Sequence, residues 1–98
     1  MVEIIQSTTF AKWISKLENR QARARIQVRI DRLSLGNPGD VRPVGSGVSE
    51  LRIDYGSGYR VYFMRHGPVV VVLLCGGTKR TQSADVVRAI EIAKDWRD

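Results

Sequence analysis

The N-terminal part of the chain combines one short apolar run with two stretches of helical periodicity. Residues 2–6 are predicted to form a short edge strand. Ser7 and the two threonines after it supply hydroxyl groups that cap a helix. The apolar residues of that helix recur every three or four positions: Phe10, Trp13, Ile14 and Leu17. A second helix is predicted over about residues 20–35, ending at Gly36 with Pro38 as a stop signal.

The second predicted helix carries two apolar stripes. The main stripe is Ala22, Ile26, Ile30 and Leu33. A narrower stripe almost opposite is Ala24, Val28 and Leu35, and between the two stripes lie Arg25, Arg29 and Arg32. Two stripes predict two packing partners. We expect the narrower stripe to pack on the first helix in a hairpin, with docking of another protein as the alternative.

The pattern changes to period two in the second half of the chain. Residues 36–48 contain four glycines and two prolines, which predicts a loop. Alternation then predicts three antiparallel strands over residues 49–55, 59–65 and 69–74. The last of these is apolar on both faces, which is typical of a strand at the centre of a sheet. The pair Gly76-Gly77 is predicted to end it.

A final helix is predicted to begin at a Ser83 cap, with Asp85 in its first turn. Its apolar stripe is Val86, Ala89, Ile90 and Ala93. The order of elements predicts an α+β fold: a strand, two helices, three antiparallel strands and a helix. A chain of 98 residues is too short for two cores at about 100–200 residues per domain, so we expect a single domain.

Composition adds a basic charge to this picture. Sixteen Lys and Arg against ten Asp and Glu give a net charge of +6, which favours a polyanionic partner such as nucleic acid or an acidic protein. The longest apolar run, residues 69–75, is far shorter than the roughly 20 residues of a membrane-spanning helix. Residues 2–6 lack the basic segment of a signal peptide. We therefore expect a cytoplasmic protein.

Several kinds of chemistry are disfavoured by residue count. His66 is the single histidine and falls in a predicted turn, while Cys75 is the single cysteine and is expected to be buried. These two residues predict neither a metal site nor a paired-histidine nuclease. Residues 76–79 lack the spacing of a Walker phosphate loop. No cofactor is predicted.

Charged residues on the predicted strands offer a different site. Alternation places Glu50 and Arg52 on the face opposite Leu51. Arg60 and Tyr62 lie beside them if the hairpin register keeps the apolar residues of both strands together. The alternative, slightly favoured by the pattern alone, is a solvated face with Arg52–Glu50 or Arg60–Asp54 ion pairs.

The end of the last strand adds two cations. Lys79 and Arg80 directly follow Gly76-Gly77 and precede the final helix. Two glycine amides, a helix amino terminus and two cations together predict a phosphate seat.

Three segments resemble the toxin half of bacterial toxin–antitoxin pairs. They are residues 50–53 (ELRI), 58–63 (GYRVYF) and 73–82 (LLCGGTKRTQ). The resemblance is to the RelE/ParE superfamily, nearest to its HigB-like addiction module killer branch, and it covers nearly the whole chain. It implies a small curved antiparallel sheet of about four strands, packed against an N-terminal helical hairpin and a C-terminal helix.

The resemblance also implies an activity. Better-known relatives inhibit translation by cutting messenger RNA in the ribosome, where a 2′-hydroxyl attacks the adjoining phosphate. Carried over by motif, Arg60 holds the phosphate, Lys79 is a second cation and candidate proton acceptor, and Arg52 is a further cation. Tyr62 is expected to exchange a proton or stack on a base. Four further cations are predicted to bind RNA: Arg80, Arg25, Arg29 and Arg32.

Two other functions stay open at this point, a ParE-like inhibitor of DNA gyrase without catalysis and a non-toxic RNA-binding domain. This chain has Asp85 where better-known relatives carry a tyrosine, so phosphate binding is carried over but their acid–base scheme is not. A helix-turn-helix antitoxin is the implied partner, contacting the basic second helix or the Arg60 and Lys79 face. We expect both of these residues to be exposed.

Overall fold

The computed structural model describes residues 1–97. Within them, five strands, three α-helices and one 3₁₀ turn follow in this order: β1 Glu3–Gln6, α1 Thr8–Lys16, α2 Arg20–Ser34, β2 Val41–Gly45, β3 Val48–Ile53, β4 Tyr59–His66, β5 Val70–Thr78, the 3₁₀ turn Lys79–Thr81 and α3 Gln82–Lys94. The predicted α+β fold is confirmed. Over the described range, no helix has the length and apolarity needed to span a membrane.

The strands form one mixed sheet in the order β1-β5-β4-β3-β2. Strands β2 to β5 are antiparallel neighbours, whereas β1 runs parallel to β5, with Glu3 opposite Val70. The prediction of a wholly antiparallel sheet is therefore wrong at this edge. Parallel strands need a long crossover connection. Here α1, α2 and three strands lie between β1 and β5 in the chain.

The loop predicted over residues 36–48 is wrong in its second half, where β2 forms the other edge of the sheet. Its glycines and prolines favour a loop when read locally. Proline has no N–H to donate, but an edge strand tolerates Pro43 because the outer side of the strand has no neighbouring strand that needs this donor. A register shift between Pro43 and Gly45 marks the irregularity, and Val44 still packs against the core on one face of the sheet.

Two predicted boundaries near the end of β5 are also wrong. Gly76 and Gly77 do not end the strand, which continues to Thr78 beside β4. Their missing side chains allow close packing, since a Cβ on Gly76 would overlap the ring of Trp13. The final helix begins at Gln82 instead of after Ser83, because the 3₁₀ turn comes directly before it.

Two apolar layers lie on opposite faces of the sheet. Helices α1 and α2 cover one face, and the main stripe of α2 is buried there as predicted. Helix α3 covers the other face, where Ala89 and Ala93 pack with Tyr62, Met64 and Leu74. Val86 and Ile90 complete the predicted α3 stripe as partly buried residues.

The narrower stripe of α2 does not pack as expected. Val28 is 54% exposed and Leu35 65% exposed, and Ala24 is exposed as well. Helix α1 packs on β5 and β1 instead. Both helices thus place a single apolar stripe on the same face of the sheet, which leaves the second stripe of α2 uncovered.

Candidate functional site

A pocket of about 310 Å³ opens at the end of the sheet where β3, β4 and the 3₁₀ turn meet. It is lined by Asp40, Arg52, Ile53, Asp54, Gly58, Arg60 and Lys79. The structure therefore brings together the three cations that the sequence placed in the catalytic set. They come from two neighbouring strands and from the segment after β5, which explains why no short motif contains them.

The register of the β3–β4 hairpin creates this juxtaposition. Arg52 lies opposite Arg60 and Glu50 lies opposite Tyr62. Leu51 lies opposite Val61 in the same hairpin, as the sequence analysis required. Because side chains alternate between faces, the four polar residues share the face that α3 covers.

Lys79 is brought to the pocket by a backbone contact. Its N–H donates to the carbonyl oxygen of Gly58 at 2.8 Å, which ties the 3₁₀ turn to the β3–β4 turn. Its side chain is exposed, as predicted, and so is that of Arg80. Lys79 is thus the exposed cation at the mouth of the pocket, while Arg52 is partly buried and Arg60 is buried.

Arg60 does not have the predicted exposure, since only 6% of the residue is accessible. Its Nη1 donates to the carbonyl oxygens of Gly58 at 3.4 Å and Tyr59 at 3.5 Å. In the sheet Arg60 lies between Arg52 of β3 and Gly77 of β5, and these neighbours are not evident from the sequence of β4 alone. Removing the Arg60 side chain will therefore disturb the fold as well as the site.

The central residue of the site is Glu50, which is fully buried and was not among the predicted site residues. Its Oε2 accepts hydrogen bonds from the Tyr62 hydroxyl at 3.1 Å and from Gln82 Nε2 at 2.8 Å. Its Oε1 lies 3.6 Å from Arg60 Nε and 3.8 Å from Arg52 Nε. The Arg52–Glu50 pair is thus present, and among the ion pairs of residues 1–97 Arg60 joins Glu50 and not Asp54. The available signal was an acidic residue on the same sheet face as Tyr62.

Tyr62 is a buried part of this cluster. Burial, reinforced by the nearby Glu50 carboxylate, raises the pKa of its hydroxyl well above the usual range. The phenol therefore keeps its proton and donates it in the hydrogen bond to Glu50. The ring is fully buried, so the expected stacking on a nucleobase is not available in this structure.

The glycine corner after β5 differs from the predicted phosphate seat. A Cβ on Gly77 would overlap the Asp85 carboxylate, which accepts a hydrogen bond from the Thr81 hydroxyl. The corner therefore presents an acidic group where the sequence suggested freed amides. The cations Lys79 and Arg80 lie beside this corner, and only Lys79 of the two lines the pocket.

Three of the five arginines of α2 lie along a separate groove of about 560 Å³. Its lining is Gln21, Ala24, Arg25, Val28, Arg29, Arg32, Ile53 and Asp54, so it meets the pocket at residues 53–54. Arg25 and Arg32 are exposed, and the Arg25 guanidinium lies 4.6 Å from the centroid of the Tyr55 ring.

The Arg29 side chain binds backbone carbonyl groups of two other segments. Its Nη1 donates to the Arg52 carbonyl oxygen at 2.6 Å, and its Nη2 donates to the Pro38 carbonyl oxygen at 2.9 Å. These bonds join α2 to β3 and to the segment before β2. Of the three α2 arginines predicted to bind RNA, Arg29 is therefore the least free to do so.

Of the two residues excluded from chemistry, Cys75 is buried as expected, at 2% exposure. His66 is exposed but is the last residue of β4, so its predicted position in the turn is wrong. Burial raises the pKa of the Cys75 thiol to about 12. Across residues 1–97, no group of three His, Cys, Asp or Glu side chains has the arrangement to hold a metal ion.

Comparisons with known proteins support one family. The family model described as "Phage derived protein Gp49-like (DUF891)" matches residues 12–97 of this chain. The chain is also similar to an uncharacterized protein of Haemophilus influenzae strain Rd, at 48% identity over 94 residues, which is 96% of this chain and 95% of that protein. The matched region contains every residue that lines the pocket.

Proposed function

Because the chain belongs to the Gp49-like family of phage-derived proteins, a RelE/HigB-like toxin family, we propose that it is the toxin of a type II toxin–antitoxin pair. Its proposed activity, in the manner of the HigB-like branch, is ribosome-dependent cleavage of messenger RNA in the cytoplasm. The observation that carries this proposal is the convergence of Arg52, Arg60 and Lys79 on one pocket.

Such a pocket suits a phosphodiester whose charge rises during reaction. In the proposed step the ribose 2′-oxygen forms a bond to phosphorus as the bond from phosphorus to the 5′-oxygen breaks. The products are a cyclic phosphate and a free 5′-hydroxyl. Cations placed around the phosphate stabilise the charge that develops on its oxygens in the transition state.

The proposed roles follow from depth in the pocket. Arg52 and Arg60, held on adjacent strands, bind the phosphate oxygens. Lys79, exposed at the mouth, is the candidate acceptor of the 2′-hydroxyl proton, a step that needs its neutral amine and converts it to the ammonium cation, and a proton must then reach the departing 5′-oxygen. The Tyr62 hydroxyl donates a hydrogen bond to Glu50, so we assign it a supporting role in this scheme.

Primer extension on transcripts incubated with the purified protein, with and without ribosomes, tests the proposal. We expect new 5′ ends only when ribosomes are present. Lys79→Ala should reduce cleavage by about 100-fold or more, as expected for the loss of one transition-state contact. The matched control is Lys94→Ala, because Lys94 lies on the exposed surface of α3 and pairs with Glu91.

The outcomes separate the alternatives. Intact transcripts together with inhibited gyrase supercoiling would replace the proposal with a ParE-like function. Binding of RNA with neither effect would leave a non-toxic RNA-binding domain. Arg60→Ala needs a parallel unfolding measurement, because breaking a buried ion pair costs about 3–5 kcal/mol.

We place the partner antitoxin on the α2 groove. Helix α2 carries five arginines and one acidic residue, Asp31, and it exposes Val28 within the groove. The complementary ligand is an acidic amphipathic segment, whose apolar side chains cover Val28 while its carboxylates face the arginines. A segment leaving the groove at residues 53–54 enters the mouth of the pocket.

Co-purification with the co-expressed antitoxin tests this docking site. Val28→Asp should abolish the complex, because it puts a carboxylate in an apolar contact facing an acidic segment. Val87→Asp is the matched control, since Val87 is a 64% exposed valine on α3. If Val87→Asp abolished the complex and Val28→Asp did not, the antitoxin would bind the α3 surface instead of the α2 groove.

A further inference from the structure

Two like charges lie directly opposite each other in the β3–β4 hairpin. Arg52 and Arg60 are register partners, an arrangement that is destabilising by itself. Arg60 is also almost fully buried, and a buried charge is tolerated only when another group compensates it. The pair therefore needs an acidic neighbour. Glu50, on the same face two residues before Arg52, lies within 4 Å of both Nε atoms, whereas the exposed Asp40 reaches only that of Arg52, at 4.0 Å.

The orientation of the Glu50 carboxylate is set from the opposite side. Tyr62 of β4 and Gln82 of α3 both donate to Oε2, so rotation of the carboxylate would break two hydrogen bonds. This holds Oε1 towards Arg52 and Arg60. Three elements, β3, β4 and α3, thus join at one buried carboxylate.

Glu50 lies nearest the Nε atom of each guanidinium group, which leaves the two terminal nitrogens of each arginine for other contacts. Each arginine approaches Oε1 through Nε, and both side chains line the pocket. Arg60 Nη1 makes only two long hydrogen bonds to the protein, to backbone carbonyl oxygens at 3.4 and 3.5 Å. The terminal nitrogens are the atoms that a guanidinium uses to grip a phosphate.

The pairing is also incomplete. Glu50 Oε1 and the Nε atoms of both arginines are buried and have no hydrogen-bond partner. Their separations of 3.6 and 3.8 Å exceed the 2.7–3.2 Å of an ordinary N–H···O bond. Buried polar atoms with unused hydrogen-bonding capacity are rare and call for a functional explanation. Contacts of this kind at active sites are often long before the substrate binds.

We propose that Glu50 is the positioning residue of the site: its buried carboxylate holds the Arg52 and Arg60 guanidinium groups side by side, with their outer nitrogens available to one phosphate. This inference rests on the proposed function and deepens it. Glu50 acts through the two arginines and does not touch the RNA.

The test compares two carboxylate-to-amide variants. Glu50→Gln keeps the shape of the side chain and removes its charge, whereas Glu91→Gln makes the same change at an exposed position on α3. In single-turnover cleavage on ribosomes, Glu50→Gln should lower the rate constant at saturation by about 100-fold, with a smaller change in half-saturation, as expected for a misplaced catalytic group. Glu91→Gln should match the wild type.

A second readout is independent of cleavage. The Nε–Hε resonances of Arg52 and Arg60, followed by nuclear magnetic resonance, should shift in Glu50→Gln and stay in place in Glu91→Gln. Tyr62→Phe, which retains the Glu50 charge and removes one hydrogen bond to Oε2, should shift them by less.

The possible failures can be told apart. Normal cleavage by Glu50→Gln with unchanged arginine resonances would overturn the inference and leave the proposed function intact. So would a loss of activity that merely follows the unfolded fraction, with the folded fraction retaining the wild-type rate. If the wild type cleaves nothing, the proposed function fails, and the arginine resonances alone decide whether Glu50 orders the two side chains.

Discussion

Ser7 shows how one buried hydroxyl joins two elements, α1 and β5. Its Oγ accepts from the Phe10 N–H at 3.0 Å and donates to the Leu74 carbonyl oxygen at 2.6 Å. The first bond is the helix cap that a serine before an apolar periodic stretch predicts. The second bond links residues 67 positions apart and fixes the start of α1 against β5. A residue can thus be assigned its local role from sequence while its tertiary role stays hidden.

We predict that Ser7→Ala lowers the free energy of unfolding by about 2 kcal/mol, because it removes a helix cap and leaves a buried N–H unpaired. Urea unfolding at neutral pH measures the change. Ser15→Ala is the control, since that hydroxyl bonds to the Lys12 carbonyl oxygen at the exposed surface. Equal losses in the two variants would contradict the tertiary role of Ser7.

At the scale of the element, α2 is divided lengthwise between packing and surface. Its main stripe contributes Ile26, which is fully buried against the sheet, whereas Val28 lies two residues away and is largely exposed. Periodicity located both stripes and could not tell which of them finds a partner inside the chain. Only the placement of α1 on β5 and β1 shows that the narrower stripe remains at the surface.

Truncating a side chain of each stripe to alanine should therefore lower the free energy of unfolding by very different amounts. Ile26→Ala is expected to cost about 2–5 kcal/mol, because it leaves a cavity in the core. Val28→Ala should change stability by less than about 0.5 kcal/mol, as for an exposed position. Both are measured by urea unfolding. A large loss from Val28→Ala would show that the second stripe is packed in solution and would remove the basis for docking on the α2 groove.

For the molecule as a whole, helices on both faces bury the middle of the sheet and leave one end open. The cations converge at that end, and the α2 groove reaches it from the side. The face below α3 contains two buried groups, the Cys75 thiol and the Tyr62 hydroxyl, which are neutral when protonated. Burial raises the pKa of both groups, so the stability of the domain depends on pH in the alkaline range.

The sign of that response follows from proton binding. In the unfolded chain Cys75 loses its proton near pH 9, whereas in the folded protein it does so near pH 12, and Tyr62 shifts in the same direction. Above about pH 9 the unfolded state therefore binds fewer protons, and stability falls as pH rises. The slope approaches about 1.4 kcal/mol per pH unit for each group.

We expect urea unfolding between pH 7 and pH 11 to show this alkaline decline. Cys75→Ala should make the decline shallower, because it removes one of the two groups. The Cys75→Ala variant will be less stable at every pH if its methyl group fills the site poorly, so the slope is the quantity to compare. An unchanged slope would show that the thiol does not contribute.

Local patterns were sufficient for most of the elements and for one feature of the site. The spacing of apolar residues predicted α1, α2, β3, β4, β5 and α3 because such spacing depends on neighbours within a few positions. Strand alternation likewise placed Arg52, Arg60 and Tyr62 on one face. Register in a short hairpin is itself nearly local, so the pairing of Arg52 with Arg60 was within reach of the sequence.

Only the tertiary structure decided which of these polar groups are buried and what they contact. Glu50 meets Gln82, 32 residues further along the chain, and Arg60 is almost fully buried beside Gly77 of β5. The parallel pairing of β1 and the edge position of β2 depend in the same way on distant partners. The sequence alone thus determined the three helices, every strand except β2, and the sheet face that holds Arg52 and Arg60. Long-range packing made one end of that face a pocket organised around a buried carboxylate.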